Sequence, residues 1–110
     1  MQELHSSLRA KIKSYIGFAI KSRAVVIGTD NITRYLKSKI PALCLIDETL
    51  SENAKKKLIS HFNGNKNLIT IDNLGELSSR DSCKALAILD NNLANAIVKC
   101  LESTQNIGAV

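Results

Sequence analysis

The sequence predicts an α/β protein, a single three-layer α-β-α sandwich. Amphipathic helical segments alternate with short strands that are apolar on both faces, so helices must cover both sides of one sheet. The 110 residues, 45% of them apolar, are enough for one domain and leave little room for a second. We assign this domain to residues 1–102 and expect the tail, residues 103–110, to fray because it lacks apolar periodicity.

The first half of the chain supplies two helices and two strands. Apolar residues recur at helical spacing over residues 2–21, which predicts an amphipathic helix. A β-branched run at residues 24–27 predicts a strand, and the next helix starts with Thr29 or Asp30 as its N-cap. A second apolar strand is predicted over residues 42–46.

The second half continues the alternation. Ser51 is a favourable N-cap for the third helix, and Asn63-Gly64 is typical of the C-cap that ends it. Asn91 or Asn92 is predicted to cap the last helix. The predicted elements are a helix at 52–62, a strand at 68–71, one helical turn at 74–77, a strand at 85–89 and a final helix ending at residue 101.

Positive charge is concentrated in the first third of the chain. Residues 1–39 carry eight Lys and Arg against two acidic residues, whereas the rest of the chain is close to neutral. The whole formal net charge of +5 therefore belongs to one region. A one-sided positive field attracts polyanions and is the general source of affinity for nucleic acids, although a solubilising surface gives the same composition.

Cysteine and histidine patterns exclude most metal and redox chemistry. Cys44, Cys83 and Cys100 are widely spaced without a Cys-x-x-Cys pair, and Cys44 falls in an apolar run typical of a core residue. His5 and His61 are isolated in polar stretches, as surface histidines are. We therefore expect no metal and no other cofactor.

Catalytic signatures are absent as well. The chain has no Gly-rich phosphate loop and no His-Glu-x-x-His motif, and its one adjacent carboxylate pair, Asp47-Glu48, is interpreted as solvated turn residues. We expect neither enzymatic activity nor a small-molecule substrate. Neither an apolar leader nor an 18-residue apolar run occurs, so we expect a cytoplasmic protein without a membrane partner.

The corner between the first strand and the second helix is the leading candidate site. Backbone N–H groups at the start of a helix point outward with a partial positive charge, which suits phosphate. Asp30 and Asn31 offer groups that read base edges, and Arg34 and Lys37 follow at successive helical turns. The candidate residues are Gly28, Thr29, Asp30, Asn31, Arg34 and Lys37. The alternative is an ordinary capped helix with a polar outer face.

Two further basic segments are weaker candidates. Residues 78–84 form a polar stretch with Arg80 and Lys84, and we expect a loop that lies either beside the corner or simply on the surface. Residues 55–57 are three consecutive lysines, which point about 100° apart on a helix and therefore cannot form one tight site.

Two motifs resemble those of a known family. The run Ile16-Gly17-Phe18-Ala19, followed by Lys21 and then Val25-Val26-Ile27-Gly28, resembles an opening L-G-L-A-x-R-A-G-K-L-V-x-G. The stretch Ser51-Glu52-Asn53-Ala54-Lys55-Lys56-Lys57-Leu58 resembles S-E-N-T-K-K-K-L. Both belong to the bacterial branch of the kink-turn RNA-binding ribosomal proteins, the L-seven-Ae (L7Ae) family. The resemblance covers residues 11–101.

This resemblance implies a fold and a function. The fold is an α-β-α sandwich around a four-stranded mixed sheet, and the members bind structured RNA, many of them at kink-turns with tandem sheared G·A pairs. The implied function is therefore that of a ribosomal-protein-like RNA-binding protein, with ribosomal RNA as one partner class.

The contact motif of the family is altered in this chain. The motif Gly-x-Asn-Glu-x-x-Lys falls on residues 28–34, where Gly28 matches and Arg34 keeps the cation. Asp30 stands at the Asn position and Asn31 at the Glu position, and a carboxylate beside phosphates is unfavourable. The family's second site, an apolar loop before the fourth strand, falls on residues 79–84, which are polar here. These departures favour the alternative function, a protein-interaction module with a decayed RNA site.

Overall fold

A computed structural model describes the backbone of residues 2–62 and 67–109 and the side chains of residues 7–62 and 67–102. Within these ranges helices and strands alternate as predicted. In chain order they are α1 (Gln2–Lys21), β1 (Val25–Ile27), α2 (Thr29–Leu36), β2 (Leu43–Asp47), α3 (Glu52–Phe62), β3 (Leu68–Ile71), α4 (Leu74–Ser78), β4 (Ala85–Ile88) and α5 (Asn91–Ala109).

The four strands form one mixed sheet in the order β1-β4-β2-β3. Strand β4 is antiparallel to both of its neighbours, β1 and β2, while β2 and β3 are parallel. Strands β1, β2 and β3 therefore point in the same direction, and the start of β4 lies at the edge where they end. We call this the upper edge; Ile27, Asp47, Ile71 and Ala85 lie along it.

Helices cover both faces of the sheet, so the predicted three-layer sandwich is confirmed. Strand β2 is buried along its whole length and its side chains alternate between two cores. Leu43 and Leu45 pack in the layer of α1, α4 and α5, whereas Cys44 and Ile46 pack under α2 and α3. Burial raises the pKa of the Cys44 thiol to about 12, as suits the predicted core residue.

Two predicted caps are wrong and one is confirmed. The N-cap of α2 is Gly28, because Thr29 is already the first helical residue. A glycine has no side chain, so this cap makes no side-chain hydrogen bond. The N-cap of α5 is Asp90, whose Oδ1 accepts the N–H groups of residues 92 and 93 at 2.7 and 3.0 Å. Ser51 does cap α3, since its Oγ accepts the N–H of Ala54 at 3.3 Å.

The last helix is longer than predicted. Helix α5 continues to Ala109 instead of ending at residue 101. Whether its last turns fray stays a prediction, and the predicted C-cap at Asn63-Gly64 lies outside the described residues. Among the residues described here, no helix is both long and apolar enough to cross a membrane.

Candidate nucleic-acid interface

The upper edge brings the two main candidate segments together. Residues 28–34, which we call the corner, follow β1 directly, and the loop of residues 79–84 leads into β4 beside it. The Gly28 N–H donates to the Ala85 carbonyl oxygen at 3.0 Å and thereby joins the corner to the end of that loop.

Gly28 gives the corner its shape. Its φ of 96° and ψ of 145° lie where side-chain-bearing residues are strained, so a glycine is required. Its carbonyl oxygen accepts the Ile32 N–H at 3.0 Å and starts the helical ladder. The preceding N–H groups, those of Thr29, Asp30 and Asn31, have no acceptor among the described residues. They form the positive end of the α2 dipole.

Helix α2 exposes one polar stripe. Asp30, Asn31, Arg34 and Lys37 are all exposed, while the opposite side buries Ile32 and Thr33. Neither Arg34 nor Lys37 forms an ion pair with a described residue. Both cations are therefore available to an external anion.

The Asn31 side chain is held in place by the backbone. Its Nδ2 donates to the Ile27 carbonyl oxygen at 2.9 Å, four residues earlier. This bond uses one of the two amide donors and leaves Oδ1 without a partner among the described residues. Asn31 therefore offers a positioned acceptor at the mouth of the corner.

A second polar group at the upper edge is buried. Asp47 is 3% exposed; its Oδ1 accepts the Leu74 N–H at 2.8 Å, and its Oδ2 accepts both the N–H and the hydroxyl of Thr49. The Lys84 Nζ lies 3.8 Å from Oδ2. We call Asp47, Thr49, Lys84 and the Leu74 amide the Asp47 cluster.

The interpretation of Asp47 as a solvated turn residue is wrong, whereas Glu48 is exposed as predicted.

The cluster keeps Asp47 ionised. Burial by itself raises the pKa of a carboxyl, but the bonds from Thr49 and Leu74 and the charge of Lys84 outweigh it and lower the pKa of Asp47 to about 2. Sequence reasoning missed this group because one of its donors, the Leu74 amide, is 27 residues away in the chain.

The Lys84 side chain contacts the rest of the Asp47 cluster. Its Nζ donates to Thr49 Oγ1 at 2.9 Å and lies near the Asp47 carboxylate. The side chain is 48% exposed, but part of its charge is neutralised within the protein. Lys84 is thus already paired with a described carboxylate, unlike Arg34 and Lys37.

Arg80 faces a different neighbour. It is exposed and lines a cavity of about 390 Å³ with Gly17, Ile20 and Lys21 of α1. The preceding Ser79 has a left-handed backbone, φ 58°, and ends α4. Arg80 and Lys21 therefore line one cavity, a juxtaposition that the sequence did not reveal.

The three lysines of α3 do not form one site. The Lys55 Nζ donates to the Glu48 carbonyl oxygen at 2.9 Å and lies 3.8 Å from the Glu52 carboxylate. Lys56 and Lys57 are exposed without these contacts. This arrangement agrees with the expectation from their spacing.

The described residues contain no group of three or more His, Cys, Asp or Glu side chains that could together hold a metal ion. Cys44, Cys83 and Cys100 are buried and unbridged. His61 is exposed, and the His5 side chain lies outside the described ones.

Comparisons with known proteins give a family and a fold. The sequence profile of the "Ribosomal protein L7Ae/L30e/S12e/Gadd45 family" matches residues 10–98. The solved structure of a protein with unknown function from Bacillus halodurans superposes with a TM-score of 0.74 at 16% identity, covering 84% of this chain and 98% of that one. At this identity the likeness shows the fold alone. A search of curated proteins finds no match.

Proposed function

This chain belongs to the ribosomal protein L7Ae/L30e/S12e/Gadd45 family, and on that premise we propose that it is a noncatalytic protein that binds structured RNA through the corner. The match over residues 10–98 confirms the resemblance found in the two motifs. The bacterial branch remains a prediction.

The observation that carries the proposal is the open chemistry of the corner. Three helix-start N–H groups have no acceptor among the described residues, and Arg34 and Lys37, in the last turn and at the C-cap of the same helix, are exposed and form no ion pair with a described residue. Groups of this kind attract phosphate, because the helix dipole and the side-chain charges act in the same direction. A guanidinium also binds phosphate through two parallel hydrogen bonds, which fixes orientation as well as position.

The corner suits RNA with exposed base edges. The Asn31 Oδ1 accepts from a base amino group, and the exposed Asp30 side chain offers further oxygen acceptors. Proteins read RNA sequence mainly where bases are splayed out of a duplex, because the major groove of A-form RNA is too narrow for side chains. Kink-turns are structures of this kind, and we propose them as a preferred class of target.

The acidic residue in the corner shapes this preference. Asp30 is exposed and lies one helical turn before Arg34, where it reduces the positive potential that phosphates meet. A carboxylate is tolerated best where it accepts from a base rather than facing the backbone. We therefore expect the RNA affinity of this protein to depend more strongly on base identity than the RNA affinity of an Asp30→Asn variant.

Arg34→Ala tests the proposal directly. Arg34 is exposed and forms no ion pair with a described residue, so its removal should weaken binding to a structured RNA about tenfold without changing the unfolding transition. Filter binding across a salt series measures the affinity, and Lys56→Ala on α3 is the matched control with the same loss of charge. Equal affinities of the two variants would contradict a role for the corner.

A protein-interaction module is the second candidate function. It is favoured by Asp30 in the corner and by the polar loop of residues 79–84. Retention on bulk RNA at low salt, with a steep loss as salt rises, supports RNA binding, and absence of retention supports the module. For either function we propose a cytoplasmic location.

A further inference from the structure

A second basic surface lies away from the corner, between α1 and α5. These two helices enclose an open groove of about 570 Å³ on the face of the sheet opposite α2. Lys11 from α1 and Lys99 from α5 line it, together with Tyr15 and the two amides Asn92 and Asn95. We call this the α1/α5 groove.

The two helices that form the groove run in opposite directions. Helix α1 has its N-terminal part near the upper edge, because Arg9 bonds Asp72 at 3.1 Å, directly after β3. Helix α5 starts after the opposite end of β4 and runs toward the upper edge, so it is antiparallel to α1. Lys11 and Lys99 both lie near the middle of their helices, and both line the groove.

The groove has no acidic residue among its described lining. Glu102, the next acidic side chain along α5, lines a separate cavity beside β2 and β3. Lys11 and Lys99 are exposed, and neither forms an ion pair with a described residue. No described acidic residue therefore compensates the charge of the groove, which is complementary to an anion.

The lining favours a nucleic acid over an acidic protein. Cores of protein–protein interfaces are depleted in lysine and depend on buried aromatic or apolar anchors. Protein–nucleic acid interfaces are more polar and more positively charged. Five of the eight lining residues are polar, namely two lysines, two amides and one half-buried tyrosine, and the other three are Leu8, Ala96 and Cys100. The two exposed lysines without an acidic neighbour in the lining match the second description.

We propose that the α1/α5 groove is a second RNA contact, which holds the phosphate backbone of a helix that flanks the motif bound at the corner. The proposal rests on the proposed function, since both sites engage the same RNA. The corner and the groove lie on opposite faces of the sheet, so an RNA must continue past the upper edge to reach both. A short RNA occupies the corner alone.

Two RNA probes and three variants test this contact. The short probe is a kink-turn hairpin with minimal stems, and the long probe has each stem extended by about one helical turn. We expect Lys11→Ala/Lys99→Ala to bind the long probe about tenfold more weakly at low salt, with the salt slope reduced by about 1.4 to 1.8. Affinity for the short probe should not change.

The matched control is Lys13→Ala/Lys56→Ala. It removes the same charge from two exposed lysines that do not line the groove, and it should bind the long probe within about twofold of the parent. If the groove variant binds the long probe as well as this control does, the second contact is refuted. If the groove variant instead loses only binding to a poly-glutamate peptide, the groove takes acidic protein and the RNA proposal is likewise overturned.

Arg34→Ala separates this inference from the proposed function. Both sites are supported if Arg34→Ala weakens binding of both probes and Lys11→Ala/Lys99→Ala weakens binding of the long probe alone. If Arg34→Ala binds the short probe as tightly as the parent does, the proposed role of the corner is contradicted. The groove is then judged by comparing Lys11→Ala/Lys99→Ala with Lys13→Ala/Lys56→Ala on the long probe.

Discussion

Two polar regions at the upper edge of the sheet, the Asp47 cluster and the corner, use their hydrogen-bonding groups in opposite ways. In the Asp47 cluster, Thr49, the Leu74 amide and Lys84 all satisfy one buried carboxylate. In the corner, three helix-start N–H groups and Arg34 have no acceptor or ion-pair partner in the described part of the chain, and neither has Lys37 at the end of the same helix. The two regions follow β1 and β2, which are separated only by β4.

The difference separates a structural role of the Asp47 cluster from the binding role that we propose for the corner. A buried group whose partners all lie within the protein contributes to folding and has little left to offer a ligand. An exposed group without internal partners contributes little to folding and is available for recognition. Substitutions in the cluster should therefore change stability, and substitutions in the corner should change binding.

Asp47→Ala should have the largest effect on stability. It leaves the buried Leu74 amide and both Thr49 donors without their acceptor, which costs about 3 kcal/mol. Urea denaturation measures the loss, and Asp30→Ala, which removes an exposed carboxylate from the corner, is the control that should leave the midpoint unchanged. Equal midpoints for the two variants would remove the distinction between the regions.

Gly28→Ala should have the next largest effect. The φ of 96° at this position costs about 2 kcal/mol for a residue with a side chain, although an added Cβ meets nothing nearer than the Asn31 amide at 3.9 Å. Gly17→Ala is the contrasting control, because this exposed helical position has nothing within 4 Å of the new Cβ. It should stabilise the protein by about 0.5 to 1 kcal/mol. Thermal unfolding measures whether each substitution lowers or raises the melting temperature of the protein.

Acid should weaken the Asp47 cluster in a defined range. The pKa of Asp47 is lowered in the folded protein from 3.8 to about 2, so its stabilising effect is full above pH 4 and is lost as the pH falls toward 2. With allowance for screening at the half-exposed Lys84, the loss is about 1 to 2 kcal/mol. The stability advantage of the parent over Asp47→Asn should shrink across this range; an advantage that stays constant with pH would contradict the assignment.

Lys84→Ala should have the smallest effect on RNA affinity among the candidate cations. Its charge already faces Asp47, so we expect a loss of about twofold, less than that of Arg34→Ala. Competition binding with one labelled RNA compares the two variants under the same conditions. A greater loss for Lys84→Ala would mean that the cluster, and not the corner, provides the main cation for RNA.

The sequence was sufficient to predict the layers of the fold. Apolar runs such as residues 68–71 and the helical spacing of residues 2–21 carry periodicities that tertiary contacts reinforce, and both elements have the predicted bounds. The caps of α2 and α5 were predicted one or two residues too late, because neighbouring polar residues are equally good caps and only backbone geometry selects between them.

The candidate site was predictable in part. Gly28 and the exposed stripe on α2 follow from local sequence, since both depend on residues close in the chain. The burial of Asp47, the pairing of Lys84 and the approach of Arg80 to Lys21 depend on contacts between distant segments. A carboxylate after a strand is usually solvated, and no local signal distinguishes the one that is buried.

An electrophoretic titration of the intact protein against a standard kink-turn, with the same RNA carrying mutated G·A pairs as control, tests the central claim most directly. If the corner recognises structured RNA, the parent protein binds the kink-turn at least about tenfold more tightly than the mutated RNA, and Arg34→Ala abolishes that difference. Equal binding of both RNAs by the parent, unaffected by Arg34→Ala, would contradict the account.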